Sequence, residues 1–222
     1  MSAANPLLIS VHVEPDRYDA ALRVIGLALE ARGYEAPGHT DRVTEWAVQL
    51  GRKLRLGPEQ LRELRWGALL HDCGKIMLPD QILLKPGRLT PHERHLMEVH
   101  VEHGVRIVDR LGFVPRGSRQ VILCHHERWD GQGYPQRLKG AKIPLLARIF
   151  AVVEVYDALL GERVYKPAMT EGEALKELWG AAKSGQLEPR LVETFARMMD
   201  APQIEVEALG DEPKNSYTYW EE

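Results

Sequence analysis

The sequence has little of what several protein classes require. Only two of its 222 residues are cysteines, too few for a disulfide framework, which suits a reducing cytosol. The net charge of −3 lacks the basic excess that holds nucleic acid polymers. No signal-peptide pattern stands at the start, and charged residues interrupt the most apolar stretch, 143–160. We therefore expect a cytoplasmic protein that neither spans a membrane nor binds DNA as a simple module.

Apolar residues instead recur at helical spacing along almost the whole chain. Hydrophobic residues make up 44% of it, enough for a sizeable core. Val43, Ala47, Leu50 and Leu54, for example, share one face of a helix. The predicted fold class is all-α. The predicted helices are 18–32, 39–56, 58–72, 90–111, 117–126, 144–160, 171–183 and 189–199.

One domain is expected to hold most of the chain. We assign 16–200 to this domain, 1–15 to an N-terminal extension and 201–222 to a C-terminal tail with few apolar residues. Within the extension, Leu7–Val13 has the pattern of a strand, which would not be stable alone.

Polar residues stand on or beside the apolar stripes of at least five predicted helices. A single histidine in such a place is usually a hydrogen-bonded core residue, but burying many polar groups is costly unless they meet a common partner. Imidazole and carboxylate together suit zinc, iron or manganese. We therefore expect a metal cluster. These residues are His39, His71, Asp72, His100, His125, His126, Glu154 and Asp157.

Three motifs follow one another along the chain: HDCGK at 71–75, LKPGRLT at 84–90 and HHERWDGQGYP at 125–135. In these motifs the sequence resembles the HD-GYP family, a branch of the HD metal-dependent phosphohydrolases. The resemblance extends from about Tyr18 to Met199. It implies a compact helical bundle of HD-domain type with a metal centre in its core, and hydrolysis of cyclic di-GMP to linear pGpG, GMP or both.

The resemblance also implies roles for individual residues. Asp72 would bridge two metals and act in catalysis together with Lys75. The cofactors would be two or three divalent ions, iron or manganese, with zinc, nickel and magnesium as alternatives. The implied metal ligands are Glu35, His39, His71, Asp72, His100, His125, His126 and Glu154. The implied substrate contacts are Lys75, Tyr134, Arg163 and Lys166.

One departure from the family pattern bears on activity. Glu154 stands where the family has a metal-binding aspartate. The longer side chain can bind the metal, change the metal preference or miss the metal, and a misplacement of about 1 Å can cost on the order of a hundredfold in rate. Two alternatives therefore stay open: a cyclic di-GMP receptor or adaptor with weak or no turnover, and an HD hydrolase of another cyclic dinucleotide.

The expected partners follow from the same resemblance. They are cyclic di-GMP itself, and either a cyclic di-GMP synthase domain or a separate regulatory chain, because only about fifteen residues precede the first predicted helix. Neither a nucleic acid polymer nor a membrane is expected to bind.

Glu127, next to the histidine pair of the third motif, is expected to orient one of the two imidazoles.

Overall fold

A computed structural model of the protein describes residues 17–161 and 169–200, and the regular structure of these residues is entirely helical. The all-α prediction is therefore confirmed for them. Two 3₁₀ helices cover Cys73–Met77 and Gly140–Lys142. The α-helices are α1 (Arg17–Ala31), α2 (His39–Lys53), α3 (Pro58–Leu70), α4 (Asp80–Leu83), α5 (Pro91–Glu98), α6 (His100–Asp109), α7 (Arg116–Cys124), α8 (Leu145–Leu160), α9 (Glu171–Lys183) and α10 (Pro189–Asp200).

Some sequence predictions concern other parts of the chain. The extension 1–15 with the strand candidate Leu7–Val13, the tail 201–222, and the two residues Arg163 and Lys166 all lie outside the described residues. The division into domain, extension and tail thus stays a prediction. Among the described helices, none is both long and apolar enough to cross a bilayer.

Local sequence signals explain where several helices begin. Before α5, the Thr90 hydroxyl accepts a bond from the Glu93 backbone N–H at 3.3 Å, and the Glu93 carboxylate accepts the Thr90 N–H at 2.7 Å. This reciprocal capping box satisfies donors that a helix start leaves unpaired. Thr170 and Glu173 form the same arrangement before α9.

The predicted helices 39–56, 58–72 and 117–126 end earlier in the structure, and the predicted helix 90–111 is interrupted. Two of these differences bear directly on the site described below. Helix α3 ends at Leu70, so His71 and Asp72 lie beyond it instead of continuing its face. The predicted helix 90–111 is two helices that meet at Val99.

The segments that follow the two breaks approach each other closely. A Cβ atom on Gly74 would lie 1.9 Å from the carbonyl oxygen of His100 and 2.5 Å from the backbone nitrogen of Gly104. The glycine therefore lets the 3₁₀ helix pack directly against the backbone of α6. Periodicity within one segment carries no signal of this contact.

The core has two main parts, and the histidines lie between them. Helix α8 is central to the larger part, where the buried Phe150 and Tyr156 pack with side chains of α2, α3, α9 and α10. The smaller part joins α1, α3, α6 and α7 around Trp66 and Leu70. The His71 ring lies 4.8 Å from the ring of Phe150, which connects the histidines to the larger part.

The contact between α3 and α7 gives a stability test. A Cβ on Gly67 would lie 2.5 Å from the Cβ of Val121, whereas a Cβ on Gly180 in α9 meets nothing within 4 Å. We expect Gly67→Ala to lower the free energy of unfolding by about 1–3 kcal/mol through overpacking. The control Gly180→Ala should raise the free energy of unfolding by about 0.5–1 kcal/mol, because alanine is more favourable than glycine at an exposed position inside a helix. Urea unfolding of both variants measures the difference, and equal effects would contradict the packing described here.

Candidate metal centre

Asp72 occupies the centre of the site. Its side chain is buried in the turn that follows α3, and its two carboxylate oxygens face different histidines. Oδ2 lies 3.1 Å from Nε2 of His71. Oδ1 lies 3.1 Å from Nε2 of His100 and 3.8 Å from Nε2 of His125. One carboxylate therefore connects two groups of imidazoles.

These groups are two potential metal sites that share Asp72. In each, the ligand atoms lie within 4.8 Å of one another. The first cluster, as we call it, contains His39, His71 and Asp72. The second cluster contains Asp72, His100, His125 and His126.

The histidines of both clusters come from helix ends. His39 is the first residue of α2 and His100 the first of α6. His71 follows the last residue of α3, and His125 and His126 follow the last residue of α7. The ends of four helices thus converge on one point.

Hydrogen bonds fix the orientation of three of the rings. In each, Nδ1 donates to a backbone carbonyl three residues earlier, which leaves Nε2 free to bind a metal through its lone pair. These bonds are His71 to Ala68 at 2.7 Å, His100 to Met97 at 2.7 Å, and His125 to Ile122 at 3.0 Å.

His39 is oriented by a carboxylate. Its Nδ1 donates to Oδ2 of Asp157 at 2.7 Å, and Nε of Arg42 donates to Oδ1 of the same carboxylate at 2.7 Å. Burial alone would raise the pKa of Asp157, but these two partners lower it, so the carboxylate stays ionised. A charged carboxylate behind an imidazole fixes the tautomer and makes the ring a better ligand.

Two glutamates complete the first cluster. Oε2 of Glu154 lies 3.6 Å from Nε2 of His39 and 3.7 Å from Nε2 of His71. Oε2 of Glu35 lies 3.6 Å from Nε2 of His39. The extra methylene of Glu154 therefore does not carry its carboxylate away from the histidines.

The chemistry of the donor set fits divalent cations. Four buried polar atoms here have no hydrogen-bond partner: Oδ1 of Asp72, Nε2 of His100, Nε2 of His125 and Oε2 of Glu154. Buried polar atoms are seldom left unpaired, because each costs roughly 1–3 kcal/mol. One cation in each cluster would together satisfy all four, and mixed imidazole and carboxylate ligands suit iron, manganese or zinc.

The charges of the site shift the pKa values of its groups in opposite directions. Burial lowers the pKa of His71, but Asp72, Glu154 and Glu35 outweigh it and raise the value to about 9. Burial lowers the pKa of His126 to about 3, with His100 contributing in the same direction. The two clusters therefore differ in their proton content near neutral pH.

Lys75 contacts the acids of the site. Its ammonium donates to Oδ2 of Asp72 at 2.6 Å and to the carboxylate of Glu35. Burial lowers the pKa of Lys75, but these carboxylates raise it above its usual range, so the side chain stays charged. The family resemblance implies that the ammonium of Lys75 contacts the substrate. In the structure this ammonium lies between the carboxylates of Asp72 and Glu35, at the rim of the first cluster.

Tyr134 borders the second cluster and a cavity of about 470 Å³. Its ring stacks on the ring of His126, with centroids 4.8 Å apart and planes at 29°. His125 and Glu154 line the same cavity. The open space therefore lies against both clusters.

The loop that carries Tyr134 is held by Glu127. The Glu127 carboxylate accepts the backbone N–H of Gln136 at 2.7 Å and that of Leu138 at 2.9 Å. The prediction that Glu127 orients an imidazole is therefore wrong, because its oxygens bind the loop backbone. A buried carboxylate is satisfied equally well by two N–H groups, and the sequence alone does not distinguish the two partners.

The sequence of this chain matches a known protein family. A sequence profile described as an HD domain matches residues 27–191. The chain belongs to the HD-domain family. The prediction of a helical bundle of HD type is thereby confirmed, and the family implies dependence on divalent metal.

Named relatives of this HD domain act on cyclic dinucleotides. A 3'3'-cGAMP-specific phosphodiesterase of Vibrio cholerae is 38% identical over 174 residues, covering 78% of this chain and 33% of its own length. A cyclic di-GMP phosphodiesterase of Thermotoga maritima is 37% identical over 179 residues, covering 80% of this chain and 48% of its own length. The chain thus spans half or less of these relatives.

A solved structure supports the fold. It is a cyclic GMP-AMP-specific phosphodiesterase of Vibrio cholerae, with a TM-score of 0.65 and 23% identity over 83% of this chain and 49% of that one. At this level of identity the likeness establishes the HD-domain architecture.

Some residues contribute to the site in roles that the sequence did not predict. Asp157 interrupts an apolar stripe, which was a signal, but its partner Arg42 gave none because arginine is ordinary on a helix surface. Arg94 and Glu98, which line the cavity, were not singled out by the sequence.

The contact between Asp157 and His39 gives a test on metal affinity. We expect Asp157→Asn to weaken Mn²⁺ binding at one site by roughly 10–100-fold, because the imidazole loses its charged partner. The control Asp41→Asn changes a carboxylate whose ion pair with Arg23 is exposed, and should bind as the wild type does. Titration against a fluorescent chelator measures both, and equal affinities would argue against this role of Asp157.

The raised pKa of His71 gives a test on protons. A ligand must be neutral to bind metal, so a ring with a pKa of about 9 must lose its proton when a metal binds at pH 7. We expect proton release on Mn²⁺ binding, and a rise in affinity between pH 7 and pH 9. His126, whose pKa is lowered to about 3, is already neutral and adds no proton. Calorimetry in buffers of different ionisation enthalpy measures the release, and binding without it at pH 7 would contradict the assignment.

Proposed function

We propose that this HD domain is a metal-dependent phosphodiesterase that hydrolyses cyclic di-GMP to linear pGpG, GMP or both. The observation that carries the proposal is the position of Asp72, whose two oxygens face two imidazole clusters beside a cavity. Phosphodiester hydrolysis commonly uses two metals that share a carboxylate.

Two sets of residues would hold the metals, and iron or manganese suits them best. The first set is Glu35, His39, His71, Asp72 and Glu154. The second set is Asp72, His100, His125 and His126. When bound, divalent cations supply Lewis acidity that activates water at neutral pH and offsets charge on a phosphodiester.

Residues of the chain would then orient the substrate and hold charge. Lys75 keeps its ammonium charged at the rim of the first cluster, where it would attract a phosphate oxygen. Burial, followed by Asp72, raises the pKa of Tyr134, so its hydroxyl keeps its proton and serves as a donor to the substrate. Asp157 holds the tautomer of His39 throughout. Arg163 and Lys166 belong to the same proposal as substrate contacts.

Two findings favour a cyclic dinucleotide as the substrate and hydrolysis over binding alone. The relatives from Vibrio cholerae and Thermotoga maritima are named for cyclic dinucleotide phosphodiesterases. Glu154 lies beside His39 and His71, where a ligand is needed. A cytoplasmic location and regulation by a separate chain or by a cyclic di-GMP synthase domain belong to the same proposal.

The first test removes the shared carboxylate. We expect Asp72→Asn to lower cyclic di-GMP turnover by roughly a hundredfold or more and to reduce the bound Mn²⁺, because one neutral oxygen cannot serve both clusters. Asp109→Asn, which changes an exposed partner of Arg119, is the control and should keep wild-type turnover. Chromatography of the products and metal analysis measure both, and full activity of the Asp72 variant would refute the proposal.

The second test concerns Glu154. We expect Glu154→Asp to lower turnover by on the order of a hundredfold, because the shorter side chain withdraws the carboxylate from His39 and His71. Glu102→Gln, on the exposed side of α6, serves as a control for handling and folding. An inert wild type whose Asp variant gains turnover would instead identify a cyclic di-GMP receptor.

A further inference from the structure

The cavity beside the metal centre has two side chains that the proposed chemistry leaves without a role. Arg94 and Glu98 line this cavity together with His126 and Tyr134. Both lie on α5, four residues apart, so they project from the same face of the helix. The short helix therefore presents one guanidinium and one carboxylate to the open space.

The other charged residues that line the cavity are already engaged. Arg128 pairs with Asp130 at 2.7 Å, and the Glu127 carboxylate accepts two backbone N–H groups of its loop. Glu154 faces the first cluster. The backbone N–H of Arg94 bonds to the Thr90 carbonyl in the first turn of α5. Within the described part of the chain, the side chains of Arg94 and Glu98 make no hydrogen bond or ion pair, either with each other or with another residue.

Glu98 lies close enough to the site to affect it. Its charge is one of those that raise the pKa of Tyr134, after burial and Asp72. The carboxylate is half-buried, while Arg94 is exposed at the cavity mouth. A free acid near the substrate phosphates is unfavourable unless it accepts hydrogen bonds from the ligand. A donor-rich ligand group beside Glu98 would supply those bonds.

We propose that Arg94 and Glu98 form a guanine-reading pair in this cavity. This inference rests on the proposed function, because it requires a purine dinucleotide to enter. The carboxylate of Glu98 accepts the N1–H and the N2 amino group of guanine. The guanidinium of Arg94 donates to O6 and N7 on the adjoining edge, the commonest arginine contact to this base.

The same pair rejects adenine. Adenine presents an acceptor, N1, to the carboxylate and a donor, its N6 amino group, to the guanidinium. Both contacts are repulsive, and a site built to hydrogen-bond a ligand discriminates strongly against one that lacks the matching groups. Cyclic di-GMP and 3'3'-cGAMP each carry a guanine and should both enter, whereas cyclic di-AMP should not.

Nucleotide binding tests the pair without relying on turnover. We expect GMP to bind the Mn²⁺-loaded protein at least about tenfold more tightly than AMP in calorimetric titrations, because only guanine matches the acceptor and the donor of the pair. In Glu98→Gln and in Arg94→Lys the preference should fall to roughly threefold or less. The matched controls Glu102→Gln and Arg110→Lys change exposed residues away from the cavity and should keep the wild-type preference.

The outcomes separate this inference from the proposed function. Equal binding of GMP and AMP by the wild type, or a loss of affinity for both nucleotides by the same factor in Glu98→Gln, would overturn the guanine-reading pair. Turnover of cyclic di-GMP is measured on the same samples. A preference for GMP that depends on Glu98, without any turnover, supports the guanine-reading pair and refutes the phosphodiesterase. Turnover of cyclic di-GMP without a preference for GMP supports the phosphodiesterase and refutes the pair.

Discussion

The site depends on a single buried carboxylate. Burial would raise the pKa of Asp72, but the charges of Lys75 and His71 hold it well below its usual range, so the group stays ionised inside the protein. An ionised group at this depth is tolerated only with close partners of opposite charge or with hydrogen bonds. His71 and Lys75 are those partners for Oδ2, while Oδ1 faces His100 and His125 and is left for a cation. The helices that supply these residues must therefore meet there.

The two parts of the core supply different residues to the metal centre. The half around α8 supplies Glu154, whose carboxylate belongs to the first cluster, and Asp157, which binds His39 on the side away from the cluster. The half around α3, α6 and α7 supplies the histidines of the second cluster. Packing of Phe150 against His71 holds the halves together. The Phe150 ring also lies 5.9 Å from the ring of His125, so a displacement of α8 would disturb both clusters.

Sequence patterns predicted the helices well where local signals decide the structure. The predicted helix 171–183 agrees with α9 at both ends, because its capping box and its apolar stripe are both local. The predicted cluster residues also come together where the structure describes them. The breaks before His71 and at Val99 were missed; the segments that follow them pack backbone against backbone, a contact that local periodicity does not predict. Glu127 was given the wrong partner for the same reason: its role depends on a loop that folds back onto it.

The glycine at 74 has a consequence for how such a centre can vary. The backbone at Gly74 packs directly against the backbone of α6. Backbone atoms therefore set the separation between the turn that carries Asp72 and the helix that carries His100. Substituting nearby side chains cannot widen or narrow this gap by small steps. A lineage that adapts to a different ion must therefore exchange the donors themselves, and an acid of altered length at position 154 is a change of that kind.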